Sequence, residues 1–236
     1  MPGQELRIGC AGWSIPAAFA AEFPAEGTHL ERYSRRFSAV EINSSFYRPH
    51  RPATYARWAA STPDYFRFAV KVPKEITHTR RLVGCEAQLD RFLAEAGALG
   101  EKLGPLLVQL PPSLQFQAEV AGSFFSGLRE RFAGAVVCEP RHRSWFAPEV
   151  EALFAGFRVG RVAADPAPVP AAAEPGGWPG WIYYRLHGSP RVYYSGYSEE
   201  YLDALAARLR ATGGWCIFDN TAEGEATANA LGLLER

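Results

Sequence analysis

Most hydrophobic runs in this chain end, on their downstream side, in a polar or charged residue that a buried strand has no reason to carry. Ser38-Ala-Val-Glu41-Ile-Asn43 ends in a carboxylate and an amide, and Phe66-Arg-Phe-Ala-Val-Lys71 ends in an ammonium. Pro105-Leu-Leu-Val-Gln109, Ala135-Val-Val-Cys-Glu139-Pro-Arg141, Trp181-Ile-Tyr-Tyr-Arg185-Leu-His187 and Trp215-Cys-Ile-Phe-Asp219-Asn220-Thr221 repeat the pattern. Burying one ionised group costs several kcal/mol unless it is paired. Such groups on successive strands therefore imply strand ends that converge on one polar site. The (β/α)8 barrel gathers strand ends in this way and carries its active sites at that C-terminal face.

The rest of the chain fits that architecture. Strands are expected at Leu6–Cys10, Ser38–Ile42, Phe66–Val72, Leu106–Leu110, Ala135–Glu139, Phe157–Ala163, Trp181–Leu186 and Trp215–Phe218. Helices are expected at Gly27–Phe37, Ala53–Ser61, Cys85–Leu103, Ala118–Arg131, Pro148–Ala155, Ser198–Ala211 and Ala226–Leu234. The Pro-, Ala- and Gly-rich stretch Asp165–Gly180 cannot form a good helix and is expected to replace the helix after strand 6 with an irregular loop. The expected fold class is thus α/β, a (β/α)8 TIM-type barrel, in one domain over residues 1–236.

Strand alternation sharpens the expectation. Ala39, Glu41 and Asn43 share one face, as do Arg67, Ala69 and Lys71, then Val137, Glu139 and Arg141, then Tyr183, Arg185 and His187. Their apolar neighbours fit the helix-facing side, so the polar sets are expected to point inward. The first and sixth strands give no such clear parity.

Charges balance to a formal net of zero, which argues against an extended basic footprint on nucleic acid while leaving room for a local basic patch. The four cysteines are widely spaced without a C-x-x-C pair, and they read as buried thiols of a reducing compartment. No charged leader followed by an apolar stretch opens the chain, and no apolar run is long enough for a bilayer. A cytoplasmic protein without membrane partners is expected.

Several stretches carry a resemblance: Ile8-Gly-Cys-Ala-Gly-Trp13-Ser14, Val40-Glu41-Ile-Asn43-Ser44-Ser45-Phe46-Tyr47, and Phe68-Ala-Val-Lys71 with Ile76-Thr77-His78-Thr-Arg80-Arg81-Leu82. Leu103-Gly-Pro-Leu-Leu-Val-Gln109-Leu-Pro111-Pro112, Glu139-Pro-Arg141-His142-Arg-Ser144-Trp145, Tyr184-Arg185-Leu-His187-Gly188 and Phe218-Asp219-Asn220-Thr221 follow in order. Together they resemble the domain of unknown function 72 family, the YecE-like proteins, over almost the whole chain. The resemblance implies a (β/α)8-type barrel and no particular reaction. Pro140 stands where members of the family often carry Phe.

Three chemistries compete for the strand ends. In the first, a hydrolase acts on a phosphate-bearing ligand (a nucleotide, nucleic acid or sugar phosphate). Lys71, Arg185 and His187 would hold phosphate, Glu139 or Glu41 would activate water, and Asn43 and Asn220 would orient it. Gln109, Arg141 and Thr221 add hydrogen-bonding groups, His78 a rim cation, and Tyr47 and Trp145 faces for a ring. In the second, Glu41 and Glu139 divide acid and base roles in a glycosidase. In the third, the mouth binds a nucleic-acid end without chemistry, with Arg80 and Arg81 at its edge. Opposed to all three is a self-compensating polar plug. No cofactor is expected, and a divalent metal is disfavoured because no local ligand spacing encodes one and cations adjoin the carboxylates. Neither a P-loop, a dinucleotide fingerprint nor a nucleophile elbow is present.

Overall fold

The computed structural model describes residues 5–236. Its strands are β1 (Leu6–Cys10), β2 (Ala39–Ile42), β3 (Arg67–Lys71), β4 (Leu103–Gln109), β5 (Val136–Glu139), β6 (Val159–Arg161), β7 (Ala163–Asp165), β8 (Gly176–Gly177), β9 (Tyr183–Leu186) and β10 (Gly214–Phe218). The α-helices are α1 (His29–Ser34), α2 (Pro52–Ala60), α3 (Glu86–Ala96), α4 (Ala118–Arg131), α5 (Pro148–Gly156), α6 (Glu199–Thr212) and α7 (Glu225–Leu234). One sheet runs β2-β3-β4-β5-β6-β8, parallel except for the β6–β8 pair, and the other runs β1-β10-β9-β7, all parallel. This is a parallel α/β fold, as strand–helix alternation requires.

Two apolar compartments follow the two faces of the strands. Val40, Ile42, Phe68, Val70, Val136, Cys138, Tyr184 and Leu186 belong to the large core that includes the helices. Ala39, Ala69, Leu107, Val137 and Val162 of one sheet meet Tyr183, Trp215 and Ile217 of the other in a second, smaller core. Glu41, Asn43, Lys71, Gln109, Glu139, Arg141, Arg185, His187 and Asp219 each lie two or four positions beyond a member of this second core, so the expected inward parity is found. The two strands with unreadable parity resolve as well: Ile8 and Cys10 of β1 face the large core, and Val162 faces the small one.

The sheets approach each other at two places, by different means. Between β1 and β2 the strands meet as a single backbone bridge, Ala11 with Glu41, where the Gly12 N–H donates to Glu41 O at 3.0 Å. Further down, a side chain does the bridging. The Cys10 N–H donates to Tyr33 Oη at 2.7 Å, and that hydroxyl donates to Ala39 O at 3.1 Å. Gly9 permits the approach, since a Cβ there would lie 2.0 Å from Ala39 O. On the other side β6 and β7 are one run kinked at Val162, whose N–H still donates to Cys138 O of β5 at 2.8 Å. The first half pairs with β5 and the second with β9.

Several expected boundaries shift for local reasons. The first helix is shorter than Gly27–Phe37 because a capping box of Thr28 and Glu31 starts it at His29. The helix expected to reach Leu103 stops at Ala96, and a 3-10 segment Gly97–Lys102 follows, in which Gly100 takes a positive φ of 58°. The expected sixth strand divides into β6 and β7. The Asp165–Gly180 stretch holds more structure than a loop: a 3-10 turn, Pro170–Ala173, and β8 laid antiparallel on β6. Arg161 ties it down through Glu151 and the carbonyls of Ala171 and Glu174. All four cysteines are free and buried. No helix among the described residues is long and apolar enough to cross a membrane.

The phenol bridge gives a direct test. Tyr33 is fully buried, so Tyr33→Phe leaves a strand N–H and a carbonyl unpartnered at the β1–β2 approach. It is expected to lower stability by about 1–3 kcal/mol, read as a lower urea midpoint with an unchanged slope.

Candidate active site

The strand ends are organised around one guanidinium. Arg185, on β9 and fully buried, is held by three carboxylates from three other strand ends. Its Nε and Nη2 donate to Glu41 at 3.1 and 2.8 Å, and its Nη1 donates to Glu139 Oε2 at 3.1 Å. Nη2 also pairs with Asp219 Oδ2 at 3.0 Å. The second oxygen of Glu41 accepts from Tyr183 Oη at 2.8 Å. Glu41 is thus sealed, with no accessible surface, beneath Tyr183 and Arg185.

His187 sits above this layer between two of the same carboxylates. Its Nε2 lies 2.8 Å from Glu139 Oε1 and its Nδ1 lies 3.0 Å from Asp219 Oδ2. Two acceptors on one ring are both satisfied only by the imidazolium. Burial is the largest influence and opposes that charge, but the charge of Glu139 and the hydrogen bonds to Asp219 and Glu139 together overcome it, and the pKa of His187 is raised. For Glu139, burial likewise opposes ionisation. The charges of His187 and Arg185 overcome it and hold the carboxyl well below the usual range. Asp219 is lowered too: burial opposes its ionisation most strongly, and Arg185, His187 and Lys71 together overcome it.

A second layer faces outward. Gln109 Nε2 donates to Glu139 Oε2 at 3.1 Å, and Arg141 Nη1 donates to Glu139 Oε1 at 3.0 Å, leaving 23% of the Arg141 side chain exposed. Asn43 Nδ2 donates to Asp219 Oδ1 at 3.3 Å, while the buried Asn43 Oδ1 has no partner. Lys71 lies one step beyond Ile42–Val70, the last pair of the β2–β3 ladder. Among the described residues its ammonium makes no hydrogen bond or ion pair. It rests 4.2 Å from the centre of the Phe46 ring, on the loop after β2. Burial, and then the charge of Arg185, lower its pKa to about 8 despite Glu41, Asp219 and Glu139. His78 packs edge-on to the same ring at 4.9 Å, and Tyr47 does so at 5.0 Å while remaining 77% exposed. Tyr193, 45% exposed, leans edge-on over His187.

Glu41, Asn43, Lys71, Gln109, Glu139, Arg141, Arg185 and His187 are therefore brought together, with His78 and Tyr47 at the edge. Three expected ligand contacts are placed elsewhere. Trp145 is buried in the large core between Phe116 and Phe154, and its indole N–H donates to Leu114 O at 2.9 Å. Its amphipathic ring found a partner inside the fold. Asn220 is buried and bonded to Ser195 O and Asn229 Oδ1, where it joins the loop after β9 to α7. Thr221, next to it, is exposed. Four of the expected phosphate and water partners are also spoken for, since Arg185, His187, Glu41 and Glu139 spend their polar atoms within this network. Asp219 and Tyr183 were missing from the expected site. Alternation along β10 would have found Asp219, two positions beyond Ile217 of the small core.

The carboxylates converge on Arg185, and no three His, Cys, Asp or Glu side chains among the described residues are arranged to hold a metal. What the arrangement can do is present Asp219, ionised and 5% exposed, near the amine of Lys71 and the partly exposed guanidinium of Arg141. Such a layer can bind an anion and accept a proton from a bound hydroxyl or water.

Lys71 also makes a stability prediction. Its folded pKa of about 8 lies below the ordinary lysine value, so its buried charge opposes folding fully below pH 8. That cost fades as pH rises toward the unfolded value of about 10.4. Lys71→Met is expected to raise stability by roughly 2–3 kcal/mol at pH 7, and the gain should vanish above about pH 10.5 in urea melts at both pH values.

Comparison with known proteins agrees with the fold. The family described as "Protein of unknown function DUF72" matches residues 7–236. The UPF0759 protein YecE of Escherichia coli K12 is 33% identical over 173 residues, covering 71% of this chain and 61% of that protein. The UPF0759 protein YunF of Bacillus subtilis 168 is 29% identical over 151 residues, covering 61% of this chain and 53% of that one. The chain thus spans about 61% of the length of the first of these relatives. Solved DUF72 proteins from Enterococcus faecalis V583 and Thermotoga maritima MSB8 share the fold, with TM-scores of 0.82 and 0.78 at 21% and 24% identity. Each match covers 98% of this chain, and 94% and 98% of the respective structures. A xylose isomerase-like TIM barrel/4-hydroxyphenylpyruvate dioxygenase fusion protein is a more distant neighbour, with TM-score 0.52 at 13% identity over 98% of this chain and 42% of its own. With its profile matched from residue 7 to residue 236, this chain belongs to the DUF72 family.

Proposed function

We propose that the two sheets are halves of one (β/α)8 barrel forming a single domain, and that its polar mouth takes a small phosphate-bearing ligand with hydroxyl groups. A nucleotide or a sugar phosphate has that chemistry. One observation carries the reading. Of the charged groups gathered at the strand ends, Lys71 is without a hydrogen bond or ion pair among the described residues, and beside it the Asn43 Oδ1 is a buried acceptor without a donor. A ligand that supplies an anionic acceptor to one and a hydroxyl donor to the other completes both. The charge balance supports an anion: with His187 as imidazolium, the cations Lys71, Arg141, Arg185 and His187 outnumber the carboxylates Glu41, Glu139 and Asp219 by one. Exposed Tyr47 and Tyr193 suit a ring on the same ligand.

For chemistry, the reading favours phosphoester hydrolysis with Asp219 as the base that activates water and Lys71 and Arg141 neutralising the phosphoryl group. This moves the base from Glu41 and Glu139, which have almost no accessible surface, to Asp219, the carboxylate nearest the opening, whose Oδ1 carries just the 3.3 Å bond from Asn43 among the described residues. The glycosidase alternative finds less support, because Glu41 and Glu139 share one guanidinium and a general acid needs a raised pKa. Binding of a nucleic-acid end draws its support from exposed Arg80, Arg81, Arg143 and Arg191 on loops that follow strands.

Calorimetry against sugar phosphates, nucleotides, a short oligonucleotide and the parent sugars tests the reading. Phosphorylated compounds are expected to bind and the parent sugars not to. Removing one charge-assisted contact in Lys71→Met should weaken binding roughly 10- to 100-fold. Unchanged affinity in the folded variant would remove the reading's main support. Release of inorganic phosphate from the compounds that bind then tests hydrolysis, with Asp219→Asn expected to abolish it while binding persists.

A further inference from the structure

We propose that Lys71 is a nucleophile: its amine condenses with an aldehyde group of the ligand to form an imine. The inference rests on the reading of the mouth as a ligand site and adds a covalent step to it.

The chain has three lysines, and their surroundings differ in kind. Lys74 is exposed. Lys102 is capped by backbone, its Nζ donating to Ala59 O at 2.7 Å and Thr62 O at 2.6 Å. Lys71 has neither water in quantity nor a hydrogen-bonded acceptor. It is 6% exposed and lies over the face of Phe46. An amine is made nucleophilic by desolvation and by a neighbouring cation, since both favour the neutral form. Lys71 has both, in burial and in Arg185.

The groups facing it fit the rest of the step. Arg185 from β9 and His78 from the loop after β3 are the neighbouring basic groups, and Glu41, Glu139 and Asp219 are the acidic ones. The lone pair of Nζ forms the C–N bond as the carbonyl π bond opens to an alcohol. The oxygen then leaves as one water, carrying the two protons that the amine nitrogen gives up, and the C=N bond remains. No oxidant or reductant is consumed. The unpartnered Asn43 Oδ1 can accept the hydroxyl of the carbinolamine. The Phe46 face and the three carboxylates favour the protonated imine that follows. An aldose phosphate in its open form carries both an aldehyde and a phosphate; once Lys71 bonds the aldehyde carbon it no longer pairs with the phosphate, which passes to Arg141.

Trapping by reduction reads the adduct residue by residue. The full chain is incubated near pH 7.5 with limiting glyceraldehyde 3-phosphate, or with unphosphorylated glyceraldehyde, then treated with sodium borohydride and mapped by peptide mass. Reduction turns the imine into a stable secondary amine, and mapping separates Lys71 from Lys74, Lys102 and the chain's α-amino group. A lysine at about 8 holds about 100-fold more neutral amine than an ordinary one, so Lys71 should be labelled about 100-fold above Lys74. Lys71→Arg, checked for folding by its melting curve, should carry no adduct at that position. Labelling of Lys71 no greater than that of Lys74 overturns the inference, and the wild-type protein alone gives this answer. The two readings fail separately. Calorimetric binding of glyceraldehyde 3-phosphate with Lys71 unlabelled overturns the imine and keeps the phosphate site. Equal labelling of Lys71 by both aldehydes, without phosphate-dependent binding, keeps the imine and overturns the phosphate site.

Discussion

A guanidinium buried without water is tolerable only if acceptors surround it, and Arg185 is the point from which the rest of this mouth follows. Desolvating such an ion costs several kcal/mol, and attraction repays it only when geometry is good and the remaining protons are bonded. Glu41, Glu139 and Asp219 meet that demand, each from a different strand end and each within 3.1 Å of a guanidinium nitrogen. The three acids are as dependent on Arg185 as it is on them. His187 is wedged between two of them, so its protonation state is set by the same network. The cluster is a mutual constraint across β2, β5, β9 and the end of β10, and moving any one strand end leaves a buried charge exposed to nothing.

That constraint is useful only if the strands carrying it are themselves fixed, and here the two junctions between the sheets matter. At one, the Tyr33 hydroxyl stands in for a strand-to-strand hydrogen bond, taking a proton from the Cys10 amide and giving its own to Ala39 O. At the other, the chain passes from β6 to β7 through Val162 and changes partner from β5 to β9. Glu41 lies two residues beyond Ala39, and Asp165 ends β7, where its carbonyl accepts from the His187 amide at 2.7 Å. The junctions therefore position the acids and the imidazole directly. The small core beneath, with Trp215 stacked on Tyr183 at 6.0 Å, fills the space below the charges and denies them water from that side.

Much of this was readable from residue order, because strand alternation is a strict period and burial of charge is expensive. Glu41, Lys71, Glu139, Arg185 and His187 could be placed on one face for those two reasons alone. The same rule reaches Asp219 through Trp215 and Ile217. Trp145, Asn220 and Thr221 lie past the strand ends, where no period governs direction. An indole or amide on a loop serves the core or a neighbouring loop as readily as a ligand. The split of the sixth strand and the pairing of Gly176–Gly177 with β6 depend on contacts with Arg161, and tertiary partners of that kind leave no local mark. Which polar atoms would be spent on one another and which left over also lay beyond residue order, since it depends on distances across the mouth.

What is left over carries the functional argument. A network whose only task was to seal the strand ends would be better completed by an apolar side chain at position 71, because a desolvated ammonium without a bonded anion opposes folding. The neighbouring charges do not remove that cost: the lowered pKa of Lys71 records that burial and Arg185 outweigh Glu41, Asp219 and Glu139. Phe46 offsets part of it, a cation–π contact being worth about 0.5–2 kcal/mol. Destabilising groups persist in a fold when their use lies outside it, and they gather where ligands are held. Asn43 makes the same point from the acceptor side, with one end of its amide spent on Asp219 and the other on nothing. An unmatched donor and an unmatched acceptor at the ends of two paired strands, above a layer in which charges are matched, mark where the self-compensating plug ends and the ligand site begins.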